Sequence, residues 1–572
     1  MMVVHRLLTL LVVITCCYCL QCILGEVTTD PVVNIGHTNI RGKVTQTDGG
    51  NRPVFAFRSI YYANPPVGSN RFSAPSPRTL PAGDYDATDY GPLCPQDMEL
   101  LALAYHGYPI PSKKPSEDCL HLDVYTPTLD TNSRLPVMVW IHGGAFVNGG
   151  NALYDGSALA ESQNVIVVAI NYRVGPLGFL SFGDESAPGN YGLLDQQLAF
   201  RWVQNNIVYF GGDNGRVTIF GESAGGMCTS IHPLVPSNQQ LFHRVITQSG
   251  PANSAMVVVE NPSKWGGIMA EAVGCAGNNT ERIINCLRTK SAEDISLVKI
   301  PESPDKPFLP FGPVVDGRFL LDYPMKLYQA GLIRVKADIL IGFNNNEGGY
   351  GLLATRGPSG IDLSKFGVDM FRLMMVQEFS KLVPGDLSNL ISRIEDIYSG
   401  PEGITDQTAF QTLGHIIGDG FVIAPSLAIA DYTSESGFYT FVYEFQHRPS
   451  YYHGPEFVGA DHGAEEPLVH GFPFLTKERQ GSFTFTEEEK SLSDVMMTYW
   501  ANFAKYSDPN GEKFELPYWP PYSYTEKTYM QLRPIPEIAG NLKPNKVAFW
   551  NTVFSSVHVL KEGTFKHLSD EL

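Results

Sequence analysis

"RVTIFGESAGGM", residues Arg216 to Met227, sets one serine between two glycines where an apolar run ends. Glycine weakens a strand interior, so its presence on both sides of Ser223 marks a sharp turn rather than a continuing strand. Val217 to Phe220 read as the strand, and the small residues after Ser223 can open a helix. Such a strand–turn–helix is a nucleophile elbow, in which a tight turn holds a hydroxyl exposed above the end of a sheet. The G-x-S-x-G match of Gly221-Glu222-Ser223-Ala224-Gly225 is weak alone, and a serine hydroxyl without a base is a poor nucleophile. The remainder of the chemistry must come from elsewhere in the chain.

An elbow requires backbone donors for the negative oxygen formed on attack. One comes from the residue after the serine, another from a glycine-rich loop behind an earlier strand. Ala224 offers the first. "WIHGGAF" offers the second, because His142, Gly143, Gly144 and Ala145 follow directly on the apolar run Val137 to Ile141. Small residues suit this loop, since its N–H groups must reach the developing oxyanion; losing one such donor typically costs ~3 kcal/mol of transition-state stabilisation.

An acid and then a histidine should follow the serine in the chain. Glu347, in "GFNNNEGG", is expected in a flexible loop at the carboxyl end of an Ile339–Phe343 strand; by position alone it reads more readily as a solvated bystander than as the acid. Seven histidines come after it: His415, His447, His453, His462, His470, His558 and His567. His462, in "VGADHGAEE", lies between glycines after a Phe438–Phe445 strand, which suits a ring that reaches back to Ser223. Spacing leaves His447, His453 and His470 open.

Val165 to Ile170 and Arg244 to Gln248 complete a set of short apolar, β-branched runs. Continuous apolarity implies strands covered on both faces, as in the central sheet of an α/β protein. "DQQLAFRWVQNN" from Asp195 reads as a helix with Leu198, Trp202 and Val203 on one face. "TEEEKSLSDVMMTYWANFAKYSD" opens with a Thr486…Glu489 capping box and carries Val495, Met496, Tyr499, Trp500 and Phe503 as a core face. No repeat or linker divides the chain, so one large domain with insertions is expected over 26–572.

The composition, 43% hydrophobic and 17% charged over 572 residues, is that of a globular protein. A formal net charge of −18 argues against nucleic acid or an anionic membrane as partner. Arg6, the apolar stretch Leu7 to Leu24 and Gly25 read as a secretory signal over 1–25, with a membrane anchor as the competing reading. Its removal takes Arg6 away, leaving −18 − 1 = −19. Cys16, Cys17, Cys19 and Cys22 leave with it. Of the remaining five cysteines, proximity pairs Cys94 with Cys119 and Cys275 with Cys286, and leaves Cys228 as an inert buried thiol. Asn278 heads an N-x-T sequon, a glycosylation acceptor in a secreted chain. Ser569-Asp570-Glu571-Leu572 approaches the K-D-E-L retention signal, so lumenal retention is expected, with secretion as the alternative. No later run of 18 apolar residues exists, and no spanning helix is expected.

The whole mature chain resembles the type-B carboxylesterase family, which shares the α/β-hydrolase fold with cholinesterases. The family's two signatures stand here as "EDCLHLDVYTP" (Glu117 to Pro127) and "FGGDNGRVTIFGESAG" (Phe210 to Gly225). "NYRVGPLGFLS", "QSGPAN" and "YEFQHRPS" add to the match, and "KVAFW" near the end is most similar to vertebrate liver carboxylesterases. The resemblance implies a large, mixed, mostly parallel sheet flanked by helices. Residue by residue it implies Ser223 as nucleophile, Glu347 as acid and His462 as base, with oxyanion amides at Gly143, Gly144, Ala145 and Ala224. Glu222, Ser249 and Glu465 fall where the family has groups supporting the base, and its bridges match the two proposed pairs. The implied activity is a serine carboxylesterase for small, fairly apolar esters, without metal or organic cofactor. A lipid- or hormone-ester-specific esterase is the alternative, and a non-catalytic adhesion protein on the same fold the remote one.

The departures are specific. Cholinesterases hold a quaternary ammonium on a tryptophan within the first disulfide loop; all six tryptophans here lie outside Cys94–Cys119. Tyr105 or Tyr108 would replace it only weakly, so a choline ester is not the expected substrate. "HGGAF" in place of "HGGGF" still presents an amide. The S-D-E-L end differs from the H-x-E-L of the liver enzymes. An apolar gorge is expected, with Met98 to Pro111 and Asp369 to Phe379 as rim or lid segments.

Overall fold

The structure, a computed structural model, describes residues 30–303, 306–349, 366–380, 387–452, 456–513 and 516–561. The leader, its four cysteines, His453, His567, the side chain of His558 and the Ser569–Leu572 tail lie outside the described residues.

The strands are β1 (Val32–Ile35), β2 (Thr38–Arg41), β3 (Lys43–Thr45), β4 (Val54–Tyr61), β5 (Gly83–Asp86), β6 (His121–Thr126) and β7 (Leu135–Ile141). They continue with β8 (Ile166–Ile170), β9 (Gly212–Glu222), β10 (Arg244–Gln248), β11 (Asp338–Asn344), β12 (Thr440–Phe445), β13 (Thr528–Leu532) and β14 (Glu537–Gly540). An eleven-stranded sheet runs β14-β13-β12-β11-β10-β9-β7-β8-β6-β4-β3, and β1-β2-β5 form a small second sheet. From β8 through β7, β9, β10, β11 and β12 to β13 every pairing is parallel; antiparallel pairs occur only towards the two edges. This is the mixed, mostly parallel sheet of an α/β-hydrolase.

The continuous apolar runs follow from double coverage. In β7, Val137, Val139 and Ile141 enter one core cluster while Met138 and Trp140 enter another on the opposite face. β8 divides in the same way, Ile166, Val168 and Ile170 against Val167 and Ala169. Side chains alternate across a strand, so only a sheet buried on both faces can accept such runs; each large aliphatic chain buried contributes roughly 1.5–3 kcal/mol.

The helices used below are α1 (Met98–Ala104), α2 (Tyr191–Asn206), α3 (Ala224–Ile231), α4 (Val368–Phe379) and α5 (Glu487–Tyr506). α2 begins four residues before the expected Asp195, and its buried face holds Trp202 and Val203 with Leu198 half-buried. α5 opens with the Thr486–Glu489 capping box and buries Met496, Tyr499, Trp500 and Phe503. Among the described residues one helical stretch, Ala409–Glu435, is long and apolar enough to cross a membrane, yet 89% of its most apolar window is buried against the protein, which makes it core.

Both expected disulfides are formed, Cys94–Cys119 and Cys275–Cys286, and Cys228 is a buried free thiol that burial pushes up to about 12. Asn278 is exposed beside Asn279, which caps the following helix through Arg282 N.

Candidate active site

The chain runs from β7 to β8 on one side and returns as β9 on the other, so the strand order reverses between β7 and β9. Ligands of open α/β sheets bind beyond the carboxyl ends of strands at such a point. Ser223 follows β9 directly there, with φ 56° and ψ −122°, and caps α3. That left-handed φ costs a non-glycine residue about 1–3 kcal/mol. It is held by Ser223 N–H donating to Gln248 O (2.9 Å) and Met227 N–H donating to Ser223 O (2.8 Å). Within Val217–Ile231 every residue is buried except Ser223, so the turn lifts one side chain out of the core.

The flanking glycines are required by close approach to β7. A Cβ on Gly221 would lie 2.6 Å from the Ile141 carbonyl oxygen, and one on Gly225 only 2.0 Å from it. Gly225→Ala should therefore displace the elbow, destabilising the fold by about 1–3 kcal/mol and lowering kcat as well. Urea midpoints and initial rates check this; a variant with wild-type stability and turnover would contradict the packing.

His462 Nε2 lies 2.8 Å from Ser223 Oγ, and its Nδ1 lies 2.6 Å from Glu347 Oε2. These three side chains arrive from the carboxyl ends of β9, β11 and β12. A parallel bridge pairs Asn346 with Asp461, the residues just before Glu347 and His462, and this sets acid and imidazole side by side. The sequence places Glu347 in a flexible loop; its side chain is instead fully buried. Its Oε1 accepts from Ser249 Oγ (2.6 Å) and Asn344 N (2.5 Å), which fixes the other oxygen towards the ring. His462 itself is 26% exposed, open enough to meet a ligand.

The loop after β7 passes beside this group. A Cβ on Gly143 would meet Ser223 Cβ at 3.2 Å, and Gly144 (φ +97°) has the Asn148 carbonyl where a Cβ would be, at 2.2 Å. Gly144 is half-exposed and Ala145 exposed, whereas His142 beneath them is buried, stacked on Tyr172 at 4.3 Å. Among the described residues, the N–H groups of Gly143, Gly144, Ala145 and Ala224 donate no hydrogen bond to a protein acceptor. Unpaired donors beside the half-buried Ser223 hydroxyl suit a developing oxyanion.

Carboxylates crowd the imidazole. Glu465 accepts from Asn344 Nδ2 (2.7 Å), Gln248 Nε2 (3.3 Å) and Tyr443 O–H (3.3 Å). Glu222 Oε1 stands 3.3 Å from His462 Nε2. Burial opposes the imidazolium, but Glu222 first and Glu347 next outweigh it and raise His462. Glu222 is itself raised well above an ordinary carboxyl, by burial first; His462 opposes this, and Glu466, Glu465 and Glu347 reinforce it. A neutral Glu222 withdraws the largest attraction on the imidazolium, leaving a ring able to accept a proton.

The other histidines stand apart. His447 lies 3.4 Å from Glu489, and His470 is sealed among Trp140, Tyr154 and Phe220. Tyr105 and Tyr108, considered as a cation cage, meet edge-to-face at 5.4 Å; Tyr105 is buried, and Tyr108 is half-buried with its hydroxyl committed to Glu466. Of the expected rim, α1 buries Leu101 and leaves Leu100 and Leu103 exposed; α4 buries Phe371, Met374, Met375 and Phe379 and exposes Met370, Leu373 and Val376. Each segment is thus half core, half surface. A concavity lined by Asn253, Ser254, Tyr323, Met325 and Phe554 among others contains none of the three residues. Among the described residues no group of His, Cys, Asp and Glu is arranged to hold a metal ion. Sequence reasoning passes over Asn344, Gln248 and Glu466. Glu466 stands beside a singled-out glutamate, but nothing local marks it as buried.

A profile of the carboxylesterase family matches residues 29–550. Cocaine esterase of Homo sapiens is 37% identical over 98% of this chain and 99% of its own length. Liver carboxylesterase of Sus scrofa is 37% identical over 95% and 96%, and acylcarnitine hydrolase of Mus musculus 36% identical over 94% of each. With its fold, its elbow and this coverage, the chain belongs to the carboxylesterase family and is a hydrolase of carboxylic esters.

Proposed function

We propose that the chain is a serine carboxylesterase for small, fairly apolar esters, working through Ser223, His462 and Glu347. The observation that carries this reading is the unbroken contact line from Ser223 Oγ to His462 Nε2 (2.8 Å) and from Nδ1 to Glu347 (2.6 Å). Ser223 Oγ attacks the ester carbonyl while His462 Nε2 takes its proton; Glu347 orients the ring and stabilises the imidazolium. Negative charge on the former carbonyl oxygen rests on the N–H groups of Gly143, Gly144, Ala145 and Ala224. Collapse breaks the ester C–O bond, and the alcohol leaves with the proton from His462. Water then gives its proton to His462 and attacks the acyl-serine. Collapse releases the acid and returns the proton to Ser223. Glu222, Ser249 and Glu465 support the base. Synthesis through the secretory pathway fits the apolar leader, the two disulfides and the exposed Asn278 sequon.

Hydrolysis of an ester panel of rising acyl length, with a choline and a carnitine ester included, tests the substrate class. Neutral esters of short to medium acyl chain should give the highest kcat/KM. A maximum at long acyl chains would favour a lipid-ester enzyme. A choline ester as the best substrate would overturn the reading, because Tyr105 is buried and the Tyr108 hydroxyl is committed to Glu466, so the pair offers no cage.

A further inference from the structure

β11 and β12 pair in parallel as far as Asn344 and Phe445, and the two chains then part. Glu347 follows β11 closely, whereas His462 stands at the far end of a long, largely irregular segment after β12. A side chain on such a loop is placed less precisely than one on a strand, and a misplacement of about 1 Å can cost about 100-fold in rate. The segment before His462 must therefore be fastened to the loop of Glu347 by something other than the sheet.

The run Asn344-Asn345-Asn346 supplies the fastening. Asparagine is a poor strand former, but its amide carries the donor and the acceptor of a peptide group. Asn345 Oδ1 accepts the Ala460 N–H (3.1 Å), and Asn346 Nδ2 donates to the Val458 carbonyl. The Asn346 N–H adds a backbone bond to Ala460 O (3.0 Å), next to the parallel bridge of Asn346 with Asp461. Beyond the ring, Asn344 Nδ2 reaches Glu465 Oε2 (2.7 Å). The partners fix which end of each amide faces them, since an N–H needs an oxygen and a carbonyl needs an N–H. Asp461 Oδ1 then accepts the His462 N–H (2.9 Å), so the ties end on the backbone that carries the imidazole. Two tyrosines of the same segment bond within it, Tyr452 O–H to Asp461 Oδ2 (2.5 Å) and Tyr451 O–H to Ala464 O (2.7 Å). They shape the segment without joining it to β11.

We propose that Asn345 and Asn346 are positioning residues of the active site: their side-chain amides fasten residues 458–460 to the loop of Glu347, and so hold His462 Nδ1 within hydrogen-bonding reach of the carboxylate. This inference rests on the Ser223–His462–Glu347 reading.

The two amides work by opposite ends. Asn345 serves as an acceptor. Asn346 serves as a donor, and its Oδ1 has no hydrogen-bond partner among the described residues. Alanine removes either tie, whereas aspartate at 345 keeps an oxygen for the Ala460 N–H. Neither position holds the nucleophile or an oxyanion amide, so a loosened acid–base pair should lower kcat and leave KM nearly unchanged.

The test compares wild type, Asn345→Ala, Asn346→Ala and Asn345→Asp at the alkaline plateau, where an added carboxylate leaves His462 neutral. Values of kcat are expressed per chain that reacts with a fluorophosphonate, which keeps the comparison valid where a variant folds poorly. Each alanine should lower kcat about tenfold with KM within about twofold of wild type. The His462 Nδ1–H proton, shifted downfield by its bond to Glu347, should move upfield or broaden in their NMR spectra. Asn345→Asp should recover most of what Asn345→Ala loses. Wild-type kcat in both alanine variants, an Nδ1–H resonance that stays in place, or an aspartate variant as slow as the alanine one overturns the proposal. Retained activity in Ser223→Ala would instead overturn the reading on which it rests.

Discussion

Ser223→Ala should lower kcat by about 10⁴- to 10⁶-fold while leaving the melting temperature close to that of the wild type. Among the described residues, the hydroxyl bonds to His462 Nε2 alone. Its loss therefore removes the attacking atom and very little packing. The backbone at 223 has φ 56° with serine and keeps the same strain with alanine, so no relief offsets the change. Residual rate reflects whatever the backbone donors and binding achieve with water alone. Stopped assays on a good ester, beside a thermal melt, check both halves. Substantial hydrolysis in the variant would move the nucleophile elsewhere.

Glu347→Gln should lower kcat by about 10⁴-fold with little change in KM. Glu347 Oε2 accepts from Nδ1, which leaves the lone pair on Nε2 facing Ser223. Its Oε1 is held by two donors, Ser249 Oγ and Asn344 N. The glutamine oxygen satisfies those donors, so its NH₂ is turned to the ring, where a donor meets a donor. The ring then shifts its proton to Nε2 and can no longer accept from Ser223. The loss of the Glu347 charge also removes one of the contributions that raise His462, so the remaining activity should show an acid limb at lower pH. A drop below tenfold would mean that Glu347 is not the orienting acid.

The parts legible in the sequence are those with local causes. The β10 bounds, the α5 cap and the elbow glycines each follow from a few neighbouring residues. β9 is less legible. It begins at Gly212, paired with Leu135, five residues before the apolar run; Asp213 and Arg216 pair with each other, and Asp213 also with Arg134, so polar side chains ride on a paired strand. β6 is fully buried yet reads as broken, because His121 and Asp123 lie inside it. Each finds a partner far along the chain, His121 the Pro92 carbonyl and Asp123 Oδ1 the Ser59 N–H. Phe438 was a natural start for β12, but pairing starts at Thr440, opposite Ile339. The site shows the same division. Ser223 and its amides follow from spacing; His462 over His447 and His470 required the family resemblance. The bonds from Tyr108 and Tyr154 to Glu466, between residues 358 and 312 positions apart, leave no local trace.

The central claim is that one hydroxyl, Ser223 Oγ, is activated by His462. Reaction with a fluorophosphonate, followed by mass spectrometry of the peptides, tests it most directly. The account predicts one adduct per chain, on Ser223, with esterase activity lost in step with labelling. An adduct on any other residue, or full activity in chains labelled at Ser223, would contradict it.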